Sequence, residues 1–290
     1  MKTPSIILAL LILVFLTILS ENSFLLYVIQ VNSSLHSPMY FFLSQLSFMD
    51  VCQTLAIGPK MIADFLMRQN IISLIGCSAQ IFVTLTMGMA ECYLLAVMSY
   101  DRYVAICKPL QYPVLMRRNI QLALTTWVWL GASLQAFVPG VYVLLLHYCG
   151  SNVIQHFFCD LPSMMKLSCS DVSVFERIGI FSSIQMLLVP LLIILVSYSY
   201  ILRTALQSVG KSHKALGTCF SHLTVVIFFY GAAMLKYLRP RSYRTPYQDD
   251  VVSVFCTIVT PMLNPLIYSL RNQDVLAAFK KLFCKYTVVK

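Results

Sequence analysis

Seven stretches of this chain are apolar and long enough to cross a lipid bilayer, and this recurrence limits the possible folds more than any other feature. A helix needs about 20 mostly apolar residues to span the hydrocarbon core. The stretches fall at roughly residues 5–30, 38–66, 74–107, 119–147, 173–207, 215–238 and 247–270, with a tail over 271–290. Only 11% of the residues are charged, against about 25% in a soluble domain, so most of the surface must face lipid. Inside lipid every backbone polar group needs an internal partner, which leaves helices and closed barrels. The alternating pattern of a membrane barrel is absent. The expectation is an all-α membrane protein, a seven-helix bundle forming one domain over residues 1–290.

Orientation follows from lysine and arginine in the loops. With seven spans, one face collects Arg102, Lys108, Arg117, Arg118, Arg203, Lys211, Lys214, Arg271, Lys280, Lys281, Lys285 and Lys290, against Asp101 and Asp274. The other face mixes its basic residues with Asp64, Asp160, Asp171, Glu176, Asp249 and Asp250. The first face is expected to be cytoplasmic, with the N-terminus outside, the C-terminus inside and a short amphipathic helix after the seventh span. The net charge of +10 reflects this bias. Its basic residues are scattered over loops between spans, which does not suit a nucleic-acid partner.

Cys77, Cys149, Cys159 and Cys169 fall on the outer, oxidising face. Four cysteines suit two disulfides, with three possible pairings. A zinc site with His147 and His156 is the rival, although the spacings differ from the short knuckles zinc prefers. Cys52, Cys92, Cys107, Cys219 and Cys256 sit in spans as packed thiols, and Cys284 is either S-acylated or free.

Ionisable residues within a span are functional candidates. A rise of about 1.5 Å per residue puts Asn22, Asp50, Glu91 and Asn264 in one middle layer, near Ser47 and Ser269. They are expected to form a buried polar cluster. Two close carboxylates favour a shared proton or a bound cation; the plain alternative is a hydrogen-bonded packing knot. Glu21 either joins the cluster or weakens insertion by about 2.5–3.5 kcal/mol. Pro190, Pro261 and Pro265 each remove an intrahelical bond and permit kinks.

Several motifs then agree in order: LHSPMYFFLSQLSFMD (Leu35–Asp50), MSYDRYVAICKPLQY (Met98–Tyr112), Ser197-Tyr198, KALGTCFSH (Lys214–His222) and PMLNPLIYSLRN (Pro261–Asn272). Together they resemble an odorant receptor, a rhodopsin-like G-protein-coupled receptor, over nearly the whole chain. The resemblance implies that Cys77 ties the third helix to the outer loop. Its partner is read as Cys159, with Cys149–Cys169 as the second bridge and Cys77–Cys169 as the alternative. It implies a G-protein switch at Asp101, Arg102, Tyr103, Tyr198, His222, Asn264, Pro265 and Tyr268. It also implies a buried acidic pair at Asp50 and Glu91, where a sodium ion or shared proton is the one cofactor expected.

By the same analogy the ligand pocket lies in the outer part of the bundle. Thr84, Leu85, Gly88 and Met89 would meet Ser182, Ser183, Met186, Tyr230, Ala233, Met234, Tyr237, Ser253 and Thr257. This lining lacks a buried charge and suits a small, neutral volatile ligand. Lys236 and Arg241 at the rim are expected to be solvated. The implied partners are the odorant, a stimulatory olfactory G protein that raises cyclic AMP, and the lipid bilayer. The implied location is the plasma membrane of olfactory cilia.

Two departures stand against the family pattern. The family usually has a longer outer N-terminus with a glycosylation sequon, whereas the sole match here, Asn32-Ser33-Ser34, is in the first cytoplasmic loop. Glu21-Asn22 replaces the usual Gly-Asn. A poorly trafficked variant is therefore one alternative. A proton- or ion-handling transporter, motivated by Asp50 and Glu91, is another, opposed by the lack of visible duplication. The chain carries no HExxH, nucleophile motif or helical paired-histidine site, so an enzyme is not expected.

Overall fold

In the computed structural model the described residues are 2–67, 70–149, 151–154, 156–207, 213–237, 246–271 and 275–281. They form seven long helices: α1 (Lys2–Val31), α2 (Pro38–Met67), α3 (Leu74–Cys107), α4 (Arg118–Leu145), α5 (Ser173–Gln207), α6 (His213–Tyr237) and α7, a continuous run over 246–271. A short helix, α8, follows over 275–281. The all-α bundle expected from the apolar stretches is the fold of the chain.

Six of the long helices are apolar enough to cross a membrane. The exception, α2, is as long as α1 at 30 residues. Its mean hydropathy is lowered by Gln45, Ser47, Asp50, Gln53 and Thr54, several of which face the bundle interior. Near its end Lys60 pairs with Asp64 one turn on. Large apolar side chains on the outside are the complement of this pattern. Trp127 on α4 and Phe181 on α5 are 77% and 70% exposed, as a lipid-facing surface requires.

Helix α3 is the axis of the bundle and packs against α2, α4, α5 and α6. Ala90, Leu94, Leu95 and Met98 are fully enclosed along it. Small residues let neighbours approach: at Gly140 of α4 an added Cβ would stand 3.3 Å from Phe82 Cβ, and Ser78 donates to the Gly140 carbonyl at 2.7 Å. Helix α3 starts at Ser73, whose hydroxyl accepts from the Gly76 N–H. It stops at Lys108, where Pro109 disfavours further helix.

Helix α7 is not uniform. Pro246–Val254 and Thr260–Arg271 are α-helical, and Phe255–Val259 between them is a π-helical turn. Pro261 stands two residues past this turn; its ring clashes with the carbonyl four residues back, which favours a widened ladder there. Pro265 has no N–H for the Pro261 carbonyl, and Asn22 of α1 donates to that oxygen at 3.0 Å. Gln53 of α2 donates to the Cys256 carbonyl at 3.3 Å. The chain then turns into α8, which buries Val275 and Ala278 and exposes Lys280 and Lys281. Its Phe279 stacks on Phe24 of α1, with centroids 5.1 Å apart.

Candidate functional site

A cavity of about 750 Å³ opens in the half of the bundle that carries Cys77. Its walls are Thr84, Leu85, Gly88 and Met89 from α3, Ser182, Ser183 and Met186 from α5, Ala233 and Tyr237 from α6, and Thr257 from the π-helical turn. Thr84 and Gly88 are one turn apart and share a face, and a Cβ on Gly88 would meet nothing within 4 Å. Between α4 and α5 the cavity reaches the lipid-facing surface. Leu134, Val138 and Ile180 line it, yet are 70%, 59% and 53% exposed.

Three residues expected in the lining stand elsewhere. The Tyr230 hydroxyl is buried beneath the cavity and donates to the Cys92 carbonyl at 3.0 Å. Met234 follows Ala233 by one position, roughly 100° round the helix, and does not line the cavity. Ser253 is turned toward the loop, where its hydroxyl is 3.2 Å from His156 Nε2.

The loop between α4 and α5 covers the cavity. Cys77 is bonded to Cys159, and Cys149 to Cys169, which leaves the zinc alternative without thiolates. Gln80 reinforces the first bridge, because its Oε1 accepts from the Cys159 N–H at 2.8 Å while its amide donates to Ala56 of α2. At the second bridge Tyr148 pairs with Ser168 in an isolated antiparallel bridge. The tethered segment presents Phe158, Asp160, Leu161 and Met165 to the cavity.

The lining is not free of charge. Glu91, Asp160, Glu176 and Lys236 all contribute to it. Lys236 was expected to be solvated, but its side chain is only 14% exposed and its Nζ lies 3.7 Å from Asp160 Oδ2. The cause is the loop, whose Asp160 and Phe158 fold over the end of α6 and enclose the ammonium.

Below the cavity the Asn264 amide donates to Asp50 Oδ2 and to Glu91 Oε1, both at 3.1 Å. Asn22 was expected in this cluster and is not bonded to either carboxylate. It lies at the same depth, but its amide faces the carbonyls of Ile18 and Pro261. Glu21 is half-buried beside it, and its Oε2 has no hydrogen-bond partner among the described residues.

At the opposite end of α3, Asp101 is fully buried and paired with Arg102. The Arg102 Nε donates to Asp101 Oδ2 at 3.0 Å, and Tyr112 of the following loop donates to Oδ1 at 2.9 Å. Tyr198 is 2.7 Å from His222 Nδ1, and the buried Tyr268 hydroxyl has no hydrogen-bond partner among the described residues. Neither tyrosine is hydrogen-bonded to Arg102. Tyr103 faces away from the pair, against Tyr200 of α5.

The family model described as olfactory receptor matches residues 11–286. The chain is 50% identical to Olfactory receptor 2T11 of Homo sapiens, over 97% of this chain and 90% of that one. It is 49% identical to Olfactory receptor 2T27 of Homo sapiens, over 97% and 89%, and 46% identical to Olfactory receptor 2M4 of Homo sapiens, over 99% and 93%.

The chain belongs to the olfactory receptor family.

It is therefore a multi-pass plasma-membrane receptor of a family that takes odorants and couples to G proteins, and it is not an enzyme. The transporter alternative is not favoured. In this receptor, sequence reasoning missed Tyr112 as a partner of Asp101, although it closes the quoted motif eleven residues on. It also missed Gln53, Gln135, Asp160 and Lys236 in the cavity. For Asp160 the available signal was its place beside a bridged cysteine. Cys52, Cys92, Cys107, Cys219 and Cys256 are free thiols. Cys284, Lys211 and Arg241 lie outside the described residues, as do the side chains of Lys214 and Ser269.

Proposed function

We propose that this receptor binds a small, uncharged volatile molecule in the cavity beside α3, α5, α6 and α7, and answers by activating a stimulatory olfactory-type G protein that raises cyclic AMP. One observation carries the reading: α3 holds a ligand-sized, mostly apolar cavity toward one end and, at the other, a latch in which Arg102 and Tyr112 bind the buried Asp101. The cavity volume falls within the range of roughly 300–1,000 Å³ typical of ligand pockets. A ligand that favours one packing of α5 and α6 on α3 shifts the population toward it, and the latch end of α3 moves in consequence.

The basic residues of the loops set the orientation in this reading. The Arg102 end faces the cytoplasm, the bridged loop faces outward, and ciliary membrane of an olfactory neuron is the expected site. Asp50 and Glu91 share either a proton or a sodium ion. Asn264 supports this part, because its amide draws the two carboxylates to one donor.

The test is a cyclic-AMP reporter assay in cells that carry the olfactory G protein, with surface staining as the first measurement. Volatile ligands should raise cyclic AMP, and Arg102→Ala should abolish the response at equal surface level. Surface-positive receptor that never responds, or a mutant that responds equally, defeats the proposal.

A further inference from the structure

We propose that Lys236 is the specificity-determining contact of the cavity, and that it selects ligands bearing an uncharged acceptor oxygen, as in a ketone or ester, over hydrocarbons of the same shape and over carboxylates. This inference rests on the odorant-binding reading of the cavity.

The Lys236 ammonium is held in place. It lies 3.7 Å from Asp160 Oδ2, 5.3 Å from the centre of the Phe158 ring and 5.8 Å from that of Tyr237. All four residues line the cavity. An ammonium carries three N–H donors, so it can serve Asp160 and a ligand oxygen together. Its fixed position lowers the cost of ordering it when a ligand binds.

Three of the neutral hydroxyls around the cavity are committed as donors. Thr84 donates to Gln80, Ser183 to Gly179 and Thr257 to Ser253, each to a carbonyl of its own helix at 2.8 Å. These oxygens are left to accept. The strong donor presented to a ligand is the charged one, and charge-assisted hydrogen bonds are roughly twice as strong as neutral ones.

An anion is selected against. Glu91, Asp160 and Glu176 line the same cavity, and Lys236 is the cation among its described lining residues. A carboxylate would compete with Asp160 for one ammonium and face the other carboxyl groups. A neutral carbonyl takes an N–H without displacing Asp160.

The experiment uses the full receptor in the reporter cells. The probes are ketones of graded size, the analogue of each with C=CH₂ in place of C=O, and carboxylates of equal carbon count. The wild type should respond to its best ketone at a concentration roughly tenfold or more below that of the methylene analogue. In Lys236→Met this gap should close while the methylene response persists, and in Lys236→Arg it should survive. If Lys236→Met does not reach the surface, Lys236→Gln takes its place with a narrowed gap expected. A Lys236→Met variant that keeps the full ketone preference overturns the assignment, as does a carboxylate that outperforms the ketone. So does a wild type that answers other volatiles and no ketone. A surface-positive wild type that answers no volatile defeats the odorant-binding reading itself, and Lys236 with it.

Discussion

At the residue scale, Asn264 and Gly88 show what a single side chain decides. One amide group of Asn264 serves two buried carboxylates, and a buried polar group left without its partner costs about 1–3 kcal/mol. Asn264→Leu should lower the melting temperature of the purified receptor by the equivalent of about that much. An unchanged melting temperature would mean that the carboxylates find other donors. Depth along a helix was legible in the sequence, since the rise per residue puts Asp50, Glu91, Asn264 and Asn22 in one layer. Azimuth was not, because no count of residues says that Asn22 faces Pro261 and not Asp50. At Gly88 a Cβ enters open cavity space. Gly88→Leu should leave surface staining unchanged and weaken bulky ligands more than small ones, read as concentration–response curves across a size series. Equal curves for all sizes would take Gly88 out of the binding wall.

At the element scale, α7 shows how missing backbone donors create contacts between helices. Pro265 leaves the Pro261 carbonyl without its in-helix donor, and Asn22 supplies one from α1. Asn22→Ala should therefore destabilise the receptor by about 1–3 kcal/mol. Pro265→Ala restores an N–H four residues after Pro261, so in that background the Asn22→Ala penalty should shrink. Melting temperatures of the two single variants and the double variant close the cycle; strict additivity would mean that Asn22 does not act through this carbonyl. The prolines were legible, and so was their capacity to bend the helix. The π-helical turn at Phe255–Val259 was not, because a slipped hydrogen-bond ladder leaves no mark in a hydropathy pattern. Nor was the docking of the outer loop. Its cysteines announced bridges, but the enclosure of Lys236 by Asp160 and Phe158 depends on how the bridged segment folds back.

At the scale of the whole molecule, the outer loop is joined to the bundle at α3 by a disulfide and at α7 by His156. The first link is covalent and the second is sensitive to pH. His156 Nε2 lies 3.2 Å from Ser253 Oγ and 3.5 Å from Asp250 Oδ1, and its side chain is 5% exposed. Its ring stacks on Phe157 and meets the edge of Phe158. Burial holds its pKa below the ordinary 6.5; the Lys236 ammonium adds to this, and together they outweigh the carboxylates of Asp160, Asp250 and Asp249. The sign of the linkage follows. Well above pH 6.5 the imidazole is neutral whether the loop is docked or released, and docking does not depend on pH. As the pH falls below that value, the released form binds a proton first, so acid favours release. Phe158 and Asp160 of the same loop line the cavity, so release at α7 loosens the ligand site. Ligand affinity should therefore be flat from about pH 8 to 7 and weaken toward about pH 5.5, within the range in which histidine changes charge. The direct readout is ligand binding to purified receptor across that range, beside hydrogen exchange of the loop. His156→Gln keeps a polar side chain facing Ser253 without a titrating group, and it should flatten the profile. If His156→Gln shows the same acid loss as the wild type, the pH dependence arises from another group and not from the link between His156 and α7.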